Sequence, residues 1–258
     1  MTALNLNKKI FDTPGYSKDV QLTPVELAVF RDAITEQWLS VIGAAHPELV
    51  SQFKEIGIEN YHQLAHLLKH ETLWPKQTRC LPKHSCDKIK VLPFLQTLRD
   101  ELGDFLISDV FYGDTHEDGR EEIYWRLVRP DATTDVGGMH ADKWFHDVMN
   151  MSGQAFPPGS ETVKIWIPIF SQSGKNGLMI VPDSHLKDYR YHGVAGAGGM
   201  KPIIDEDVST LGAELMLTEP GNMLIFNDGI VHGGAVNKGD QTRVSIEITM
   251  VFANRGKE

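Results

Sequence analysis

The pattern of apolar and polar positions changes period near residue 103. Before it, apolar side chains recur at helical spacing, and Thr23 followed by Pro24 is typical of a helix N-cap with proline in the first turn. This predicts a helix from residue 24 to about residue 44. Shorter helices are predicted over residues 46–56, 59–71 and 90–102. The stretch 75–88 shows no clear period and is predicted to be a loop.

After residue 103, short alternating apolar segments dominate, which is typical of strands. Turn residues separate them, as in Asn227-Asp228-Gly229. The predicted strands are 105–112, 122–129, 162–170, 177–181, 214–217, 222–226 and 242–252. Many short strands after a helical block predict a mainly β protein, in which a jelly-roll core carries the N-terminal helices on one sheet. We expect a single domain over residues 1–258, with a mostly helical part at 1–102 and the jelly-roll core at 103–254.

The composition narrows the class of protein. The chain has 258 residues, of which 41% are hydrophobic, and a formal net charge of −10. Since no basic run is present, neither nucleic acid nor an anionic membrane is an expected partner. Two cysteines are too few for a disulfide framework, and no apolar run reaches membrane-spanning length. We therefore expect a cytoplasmic protein with a small-molecule substrate, and the sequence leaves its oligomeric state open.

Three residues make a candidate metal site. His140 and Asp142 are two positions apart, so that on a strand their side chains point to the same face. His232 would have to be brought to them from a distant segment. Two imidazoles and one carboxylate are the facial triad of non-haem Fe(II) oxygenases, which leaves coordination positions open. The set therefore predicts an iron site made by His140, Asp142 and His232.

Other histidines offer weaker candidates. His116 and Asp118 repeat the same spacing, but they lie in a polar run that predicts an exposed hairpin turn. His62, His66 and His70 share one face of a predicted helix. A zinc site there is an alternative, but a solvated helix face explains the pattern more simply.

The last predicted strand has one polar face. Between residues 243 and 249, polar and apolar side chains alternate. If helices cover the apolar face, the polar face looks into the barrel, where polar groups are costly unless they are hydrated or bind a ligand. Arg243 offers a forked cation that matches a carboxylate, and Ser245 adds a hydroxyl on the same face. Lys164 and Trp166 share a face of another predicted strand, and Trp166 suits the protein core as well as a ligand site.

The C-terminal 120 or so residues resemble the phytanoyl-CoA dioxygenase-like branch of the Fe(II)/2-oxoglutarate oxygenases. The matching segments are His140-Ala141-Asp142, 164–168, 176–185, 221–226, His232 and Arg243-Val244-Ser245. The resemblance implies a double-stranded β-helix (jelly-roll) core. It also implies iron on the two histidines and Asp142, with the distal carboxylate of 2-oxoglutarate on Arg243 and Ser245. Asp183 stands where the family usually has glycine, so we expect the shape of that turn to differ.

The resemblance further implies an activity. The protein would be an Fe(II)- and 2-oxoglutarate-dependent dioxygenase that uses O2, hydroxylates an unactivated C–H bond and releases succinate and CO2. Cations near the predicted cavity favour a small polar substrate that carries a carboxylate or a phosphate. Lys143, Trp144 and Arg126 are the candidate substrate contacts, and Lys164 and Trp166 are further candidates for the co-substrate site.

Two long stretches that are rich in glycine and proline, 143–160 and 186–212, flank the candidate iron ligands. Loops of this length and composition often cover a site, so we expect them to form the mouth of the pocket.

Two other classes of protein stay open. A cupin-type isomerase or O2-only dioxygenase would need the metal but would have no use for Arg243 and Ser245 at the distance of a dicarboxylate. A non-catalytic ligand-binding module would have no need of a complete set of metal ligands. Binding of 2-oxoglutarate to the metal distinguishes an oxygenase from both.

Overall fold

The computed structural model describes residues 4–112, 115–148, 159–196 and 199–253, without the side chains of residues 111–116. The helices are α1 (Leu6–Phe11), α2 (Pro24–Ala45), α3 (Val50–Ile56), α4 (Tyr61–Leu64), α5 (His70–Leu73), α6 (Lys76–Arg79), α7 (Lys83–Lys90), α8 (Pro93–Leu102) and α9 (Trp144–Val148). Short 3-10 helices lie at Pro47–Leu49, Ile58–Asn60, Ala65–Leu67, Thr133–Asp135, Ser184–Leu186 and Val208–Thr210. No helix in these ranges has both the length and the apolar character that crossing a membrane requires.

The strands form two main sheets and two hairpins. They are β1 (Tyr16–Gln21), β2 (Leu106–Ile107), β3 (Asp109–Tyr112), β4 (Thr115–Glu121), β5 (Ile123–Val128), β6 (Glu161–Phe170), β7 (Leu178–Ile180), β8 (Tyr191–Gly196), β9 (Gly199–Ile204), β10 (Glu214–Leu215), β11 (Asn222–Asn227), β12 (His232–Gly234) and β13 (Arg243–Phe252). Within the described residues, the larger sheet has six strands in the order β1-β11-β6-β13-β2, and β5 also pairs with β13. The smaller sheet has the order β10-β7-β12, while β3–β4 and β8–β9 form the hairpins.

Side chains from both sheets meet inside the jelly roll. Trp166 of β6 and Phe226 of β11 pack in one buried cluster with Leu178 and Ile180 of β7. Because these side chains lose contact with water between the sheets, they hold the two walls of the barrel together. The predicted fold is confirmed: a jelly-roll core with N-terminal helices.

The helices cover the outer face of the larger sheet. On β13, Val244, Ile246 and Ile248 lie in one buried cluster with helix residues such as Phe30 and Ile34 of α2. Since successive residues of a strand point to opposite sides, the alternate residues of β13 face the barrel. The polar half of this strand is therefore inside, as the sequence predicts.

α2 begins at the predicted residue. The Thr23 hydroxyl accepts a hydrogen bond from the Glu26 amide at 3.2 Å, and the Glu26 carboxylate accepts one from the Thr23 amide at 2.8 Å. This reciprocal pair is a capping box, which satisfies donors at the start of the helix. The other carboxylate oxygen of Glu26 accepts from the amide of Phe94 at 2.8 Å. One buried carboxylate thus ties the start of α2 to the start of α8.

Three predictions of secondary structure are wrong in part. The stretch 75–88, predicted as a loop, contains α6 and most of α7. The part predicted as helical contains β1, which joins the larger sheet by pairing with β11. The stretch 186–212 contains the β8–β9 hairpin. Helices of one or two turns and glycine-rich strands have too few apolar positions to show a period in the sequence.

Some predictions fall on residues outside the described ranges. These are residues 149–158 of the first predicted mouth loop and residues 197–198 of the second. The turn predicted around His116 is misplaced, because β4 already begins at Thr115. The exposure predicted for the His116 side chain lies outside the described side chains.

Candidate iron and 2-oxoglutarate site

His140 and His232 come from distant parts of the chain and meet as an isolated antiparallel bridge. The His140 amide donates a hydrogen bond to the His232 carbonyl at 2.9 Å, and the reciprocal bond measures 2.8 Å. Gly233 allows this approach, because a Cβ at that position would lie 2.8 Å from the sulfur of Met139. The main chain thus brings the two imidazoles together, with their ring centroids 4.6 Å apart.

Asp142 completes a group of metal-ligating side chains. One candidate ligand atom each from His140, Asp142 and His232 lies within 4.8 Å of the other two. His232 Nε2 is 3.5 Å from one carboxylate oxygen of Asp142, and His140 Nε2 is 4.0 Å from the other. In the described part of the chain, no other set of three His, Cys, Asp or Glu side chains meets so closely. The arrangement fits a divalent transition metal with open coordination positions.

The ring of each histidine is oriented by the main chain two residues before it. His140 Nδ1 donates to the Gly138 carbonyl at 2.8 Å, and His232 Nδ1 donates to the Ile230 carbonyl at 2.9 Å. Since a carbonyl can only accept, the lone pair of each neutral ring lies on Nε2, the atom nearer Asp142. Burial and the neighbouring His232 lower the pKa of His140 to about 4. The ring is therefore neutral near pH 7, as a metal ligand must be.

Lys164 accompanies the carboxylate of Asp142. Its Nζ lies 3.8 Å from Asp142 Oδ2 and donates a hydrogen bond to the Thr249 hydroxyl at 2.7 Å. Burial would raise the pKa of Asp142, but Lys164 and the two imidazoles outweigh burial, and the pKa is lowered. Oδ2 is buried and has no hydrogen-bond partner among the described residues. An ionised oxygen in this state fits a place on a metal cation.

Arg243 and Ser245 lie buried on the interior face of β13. One terminal nitrogen of Arg243 donates to the Gly177 carbonyl, and the guanidinium carbon is 5.9 Å from the ring centroid of Trp166. Arg243 Nε and the Ser245 hydroxyl find no partner in the described ranges. Burial, reinforced by the charge of Arg126, lowers the pKa of Arg243 to about 10. A carboxylate would supply both the missing acceptors and the missing negative charge.

The three predicted substrate contacts lie in different surroundings. Lys143 is exposed, and its amide donates to the Asp228 carbonyl at 3.1 Å. Trp144 is buried and stacks on Tyr191 with ring centroids 4.5 Å apart. Arg126 faces the barrel interior and forms an ion pair with Glu247. Their roles in substrate binding stay predictions.

Three residues beside the site have no role in the sequence prediction. Glu247 accepts hydrogen bonds from the Tyr124 hydroxyl and, at 3.1 Å, from Arg126 Nε. Phe145 lies edge-on against the His140 ring, with centroids 5.5 Å apart. Strand alternation places Glu247 on the interior face of β13, as the sequence predicts, and it could have placed Tyr124 in the barrel as well, because Tyr124 is two positions from Arg126. Phe145 lies in α9, so strand alternation does not predict its position beside His140.

Asp183 occupies the turn where the sequence departs from the family pattern. Its φ is 59° and its ψ is 8°, in the left-handed region that favours glycine. Its amide donates to the Pro14 carbonyl at 3.0 Å. The residue differs from the family pattern, and it adopts a left-handed conformation that suits glycine. Aspartate is one of the few other residues that tolerate it.

The weaker histidine candidates lie elsewhere. The helix predicted over residues 59–71 is broken into α4, a 3-10 turn and α5. His62, His66 and His70 line an open groove of about 530 Å³ together with Arg129. Within the described chain, none of the three histidines belongs to a cluster with the geometry of a metal site.

Comparisons with known proteins agree with this geometry. The sequence profile of the family described as phytanoyl-CoA dioxygenase matches residues 48–245, which include every candidate iron and 2-oxoglutarate ligand. No protein of curated function matches the sequence. Since the profile covers more than half of the chain, the protein belongs to the phytanoyl-CoA dioxygenase family.

Solved structures show the same fold at low sequence identity. A non-heme monooxygenase, ThoJ in its apo form, is 14% identical, covers 98% of this chain and 81% of its own, and has a TM-score of 0.58. EctD from S. alaskensis with 2-oxoglutarate and 5-hydroxyectoine is 14% identical, with coverages of 95% and 74% and a TM-score of 0.54. AviO1 from Streptomyces viridochromogenes Tue57 is 15% identical, with coverages of 98% and 97% and a TM-score of 0.52.

Family and site together define the class of protein. It is an Fe(II)- and 2-oxoglutarate-dependent oxygenase, and its co-substrates are 2-oxoglutarate and O2. The family acts on small-molecule substrates. The predicted family, class and cofactors are confirmed.

Proposed function

We propose that the protein is a hydroxylase of a small polar metabolite, and that it releases succinate and CO2. Iron is held by His140, Asp142 and His232. The distal carboxylate of 2-oxoglutarate is held by Arg243 and Ser245. One observation carries this proposal. Inside one barrel, two buried polar atoms have no hydrogen-bond partner in the described structure: Asp142 Oδ2 in the group of metal-ligating side chains, and Arg243 Nε.

Iron, 2-oxoglutarate and O2 supply the oxidising power that an unactivated C–H bond requires. The protein supplies orientation and charge. The Gly138 and Ile230 carbonyls fix the rings of the two histidine ligands. Lys164 balances the charge of Asp142 at 3.8 Å, and Trp166 forms the wall beside Arg243. We include both residues in the co-substrate site for this reason.

The positions of the cationic side chains indicate the charge of the substrate. Arg190 is 84% exposed and 3.9 Å from Glu206, so it belongs to the outer surface. Lys143 is exposed directly after Asp142, where it can meet a substrate at the mouth. Arg126 lies inside the barrel. Two cations at different depths favour a polar substrate with an anionic group over a purely apolar one.

The mouth is formed by α9 and the β8–β9 hairpin. Trp144 stacks on Tyr191, whose hydroxyl donates to Asp147. These contacts link the hairpin to the helix that begins two residues after Asp142. A movement of the hairpin would therefore be transmitted to the metal site, and Trp144 acts on the substrate through this contact.

The domain organisation and location follow the same proposal. One buried cluster contains Phe30 of α2, Phe105 and Ile248 of β13, so the helical part and the jelly roll share a core. This supports a single oxygenase domain over residues 1–258. Cys80 and Cys86 are free and buried, which suits a reducing, cytoplasmic location.

The alternative of a cupin-type isomerase or O2-only dioxygenase has less support. Such an enzyme would leave Arg243 Nε and the Ser245 hydroxyl buried without hydrogen-bond partners, at a cost of about 1–3 kcal/mol for each unsatisfied group. A non-catalytic binding module would not need the rings of His140 and His232 to be oriented as metal ligands.

A metabolite screen tests the proposed reaction. Purified protein with Fe(II), 2-oxoglutarate and ascorbate is incubated with pools of amino acids, organic acids and phosphorylated metabolites, and succinate is measured. A substrate should raise succinate release and give a product heavier by one oxygen atom, labelled from 18O2. Asp142→Ala is the matched control. A product without the 18O label would reject hydroxylation, and succinate release by Asp142→Ala would reject the assigned site.

A further inference from the structure

Tyr124, Arg126 and Glu247 form a charged cluster inside the barrel that neither the metal nor 2-oxoglutarate requires. Glu247 lies opposite Tyr124, and Ser245 lies opposite Arg126, in the pairing of β13 with β5. Arg126 Nε donates to Glu247 at 3.1 Å, and its Nη2 donates to the Tyr124 hydroxyl at 2.9 Å. The Tyr124 hydroxyl in turn donates to Glu247. Each member thus holds the other two.

The cluster fixes the direction of Arg126. Its two partners, Glu247 and Tyr124, lie two residue pairs further from Arg243 than Ser245 does, so the guanidinium leans away from the 2-oxoglutarate residues. Its hydrogen bonds to described residues come from Nε and Nη2, so the other terminal nitrogen, Nη1, keeps its donors for a ligand. The side chain of Arg126 stays 30% exposed and that of Glu247 stays 21% exposed, although both project into the barrel. The side chain of Arg126 therefore borders a space inside the barrel that solvent can reach.

Arg126 is the most accessible cation of this part of the barrel. The interior faces of β5, β6 and β13 carry three described cations, which are Lys164, Arg126 and Arg243. Asp142 and Glu247 are the carboxylates beside Lys164 and Arg126, and the buried Asp228 is a further acid close to Asp142 and Lys164. Fe(II) and the 2-oxoglutarate dianion add no net charge to this set. Lys164 and Arg243 are largely buried, whereas Arg126 is 30% exposed, so Arg126 is the cation that a further anionic ligand can reach.

Glu247 and Tyr124 hold the guanidinium in a single orientation. Burial opposes ionisation of Glu247, but Arg126 and Tyr124 outweigh it and lower the pKa of Glu247 to about 2. The acid therefore remains an anion that anchors Arg126 at any physiological pH. A guanidinium that is already ordered loses little entropy when it binds a carboxylate.

We propose that Arg126 is the docking point for a carboxylate of the substrate, and that Glu247 and Tyr124 are positioning residues that present its free Nη1 edge to that group. The substrate class is thus a small monocarboxylate, whose carboxylate lies on Arg126 while its chain extends toward the iron ligands. This inference rests on the proposed function, since it uses the same barrel and the same metal site.

Paramagnetic relaxation of a small carboxylate by the bound metal tests the inference without turnover. The protein is loaded with Mn(II) in place of Fe(II) and saturated with 2-oxoglutarate, which occupies Arg243. The probe is sodium butyrate, and its neutral counterpart is butyramide. Broadening of the butyrate proton signals should saturate in the millimolar range, while butyramide should be broadened far less. Both metal and 2-oxoglutarate binding are measured first by calorimetry.

The variants separate a specific contact from a general effect. Arg126→Gln should weaken butyrate binding about tenfold or more, because a charge-assisted contact is lost. Arg126→Lys should recover part of it, since a point charge replaces the fork. The surface variant Arg190→Gln is the matched control and should bind butyrate like the wild type. Tyr124→Phe should weaken butyrate severalfold and leave 2-oxoglutarate affinity unchanged.

Several results would overturn the inference. These are no saturable broadening by butyrate, equal broadening by butyramide, or unchanged butyrate binding in Arg126→Gln. If Arg126→Gln instead weakens 2-oxoglutarate as strongly as Arg243→Gln does, Arg126 belongs to the co-substrate site. An unchanged butyrate affinity in Tyr124→Phe would remove the positioning role. Failure of Mn(II) or 2-oxoglutarate to bind in the first calorimetric step would overturn the proposed function and this inference with it.

Discussion

The main chains of His140 and His232 hydrogen-bond to each other in both directions, at 2.9 and 2.8 Å, although 92 positions separate them in the sequence. Their side chains play no part in these bonds. The backbone therefore holds the two candidate iron ligands together.

Replacement of one ligand should abolish iron binding and leave the fold intact. We expect this of His140→Ala, Asp142→Ala and His232→Ala, because the backbone bridge survives each change. Iron content after anaerobic loading and the circular dichroism spectrum measure the two effects separately. His192→Ala, which changes an exposed histidine of the β8–β9 hairpin, is the matched control and should load iron normally. Full iron loading of His232→Ala would remove that residue from the site.

Arg243→Ala should weaken 2-oxoglutarate binding about 10- to 150-fold, which corresponds to the roughly 1.5–3 kcal/mol of a hydrogen bond to a charged group. Arg243→Lys should restore only part of it, since an ammonium cannot reproduce the fork of a guanidinium. Calorimetry with Mn(II)-loaded protein gives the affinities. Arg190→Ala serves as the surface control. Equal 2-oxoglutarate affinity in wild type and Arg243→Ala would place the co-substrate elsewhere.

The left-handed conformation of Asp183 makes a stability prediction. Asp183→Gly should unfold at a higher urea concentration than Asp183→Ala, with a difference of about 1–2 kcal/mol in the free energy of unfolding. The reason is that the Cβ of alanine disfavours a φ of 59°, whereas glycine has no Cβ. Equal stability of the two variants would show that the turn relaxes to another conformation.

Asp135 should stabilise the fold in a pH-dependent way. Its carboxylate accepts two hydrogen bonds from the Arg129 guanidinium, at 2.9 and 2.8 Å, and their side chains are only 2% and 22% exposed. Burial would raise the pKa of Asp135, but Arg129 and His70 outweigh burial and hold the pKa well below its ordinary value. The stabilisation is therefore complete above the unfolded pKa of about 4 and is lost as the pH falls toward the folded pKa.

Asp135→Asn lacks this stabilisation at every pH. Urea unfolding at pH 7 should show it to be less stable than the wild type by about 2–3 kcal/mol. At pH 3 the difference should be smaller, because the wild-type carboxylate begins to protonate on unfolding. A difference that is constant or larger at pH 3 would assign the effect to packing instead of charge.

Strand alternation explains how much of the site the sequence predicts. Arg243 and Ser245 are two positions apart on β13, so the period of a strand places them on one face. His140 and Asp142 have the same spacing, but His140 lies in an isolated bridge and Asp142 in a turn, so strand alternation does not account for their approach. The sequence could not place Arg126 beside Glu247, because that contact depends on the register between β5 and β13. Trp144 shows the same limit: its neighbour Tyr191 belongs to a hairpin whose glycine-rich strands carry no readable period.

The secondary structure likewise contains elements that the sequence predicts and elements that it does not. The start of α2 is predictable because Thr23, Pro24 and Glu26 determine it locally. β1 is not, because it becomes a strand only by pairing with β11, some 200 residues later. Local chemistry is visible in the sequence, whereas elements stabilised by a distant partner need the structure.

Anaerobic titration of Fe(II) and 2-oxoglutarate into the wild type and into His232→Ala tests the central claim most directly. Chelation of Fe(II) by 2-oxoglutarate in a protein site gives a visible charge-transfer band. We expect this band in the wild type, saturating at one equivalent of each component, and no band in His232→Ala despite a native circular dichroism spectrum. Absence of the band from the wild type, or an equal band in His232→Ala, would contradict the assignment of iron and 2-oxoglutarate to this barrel.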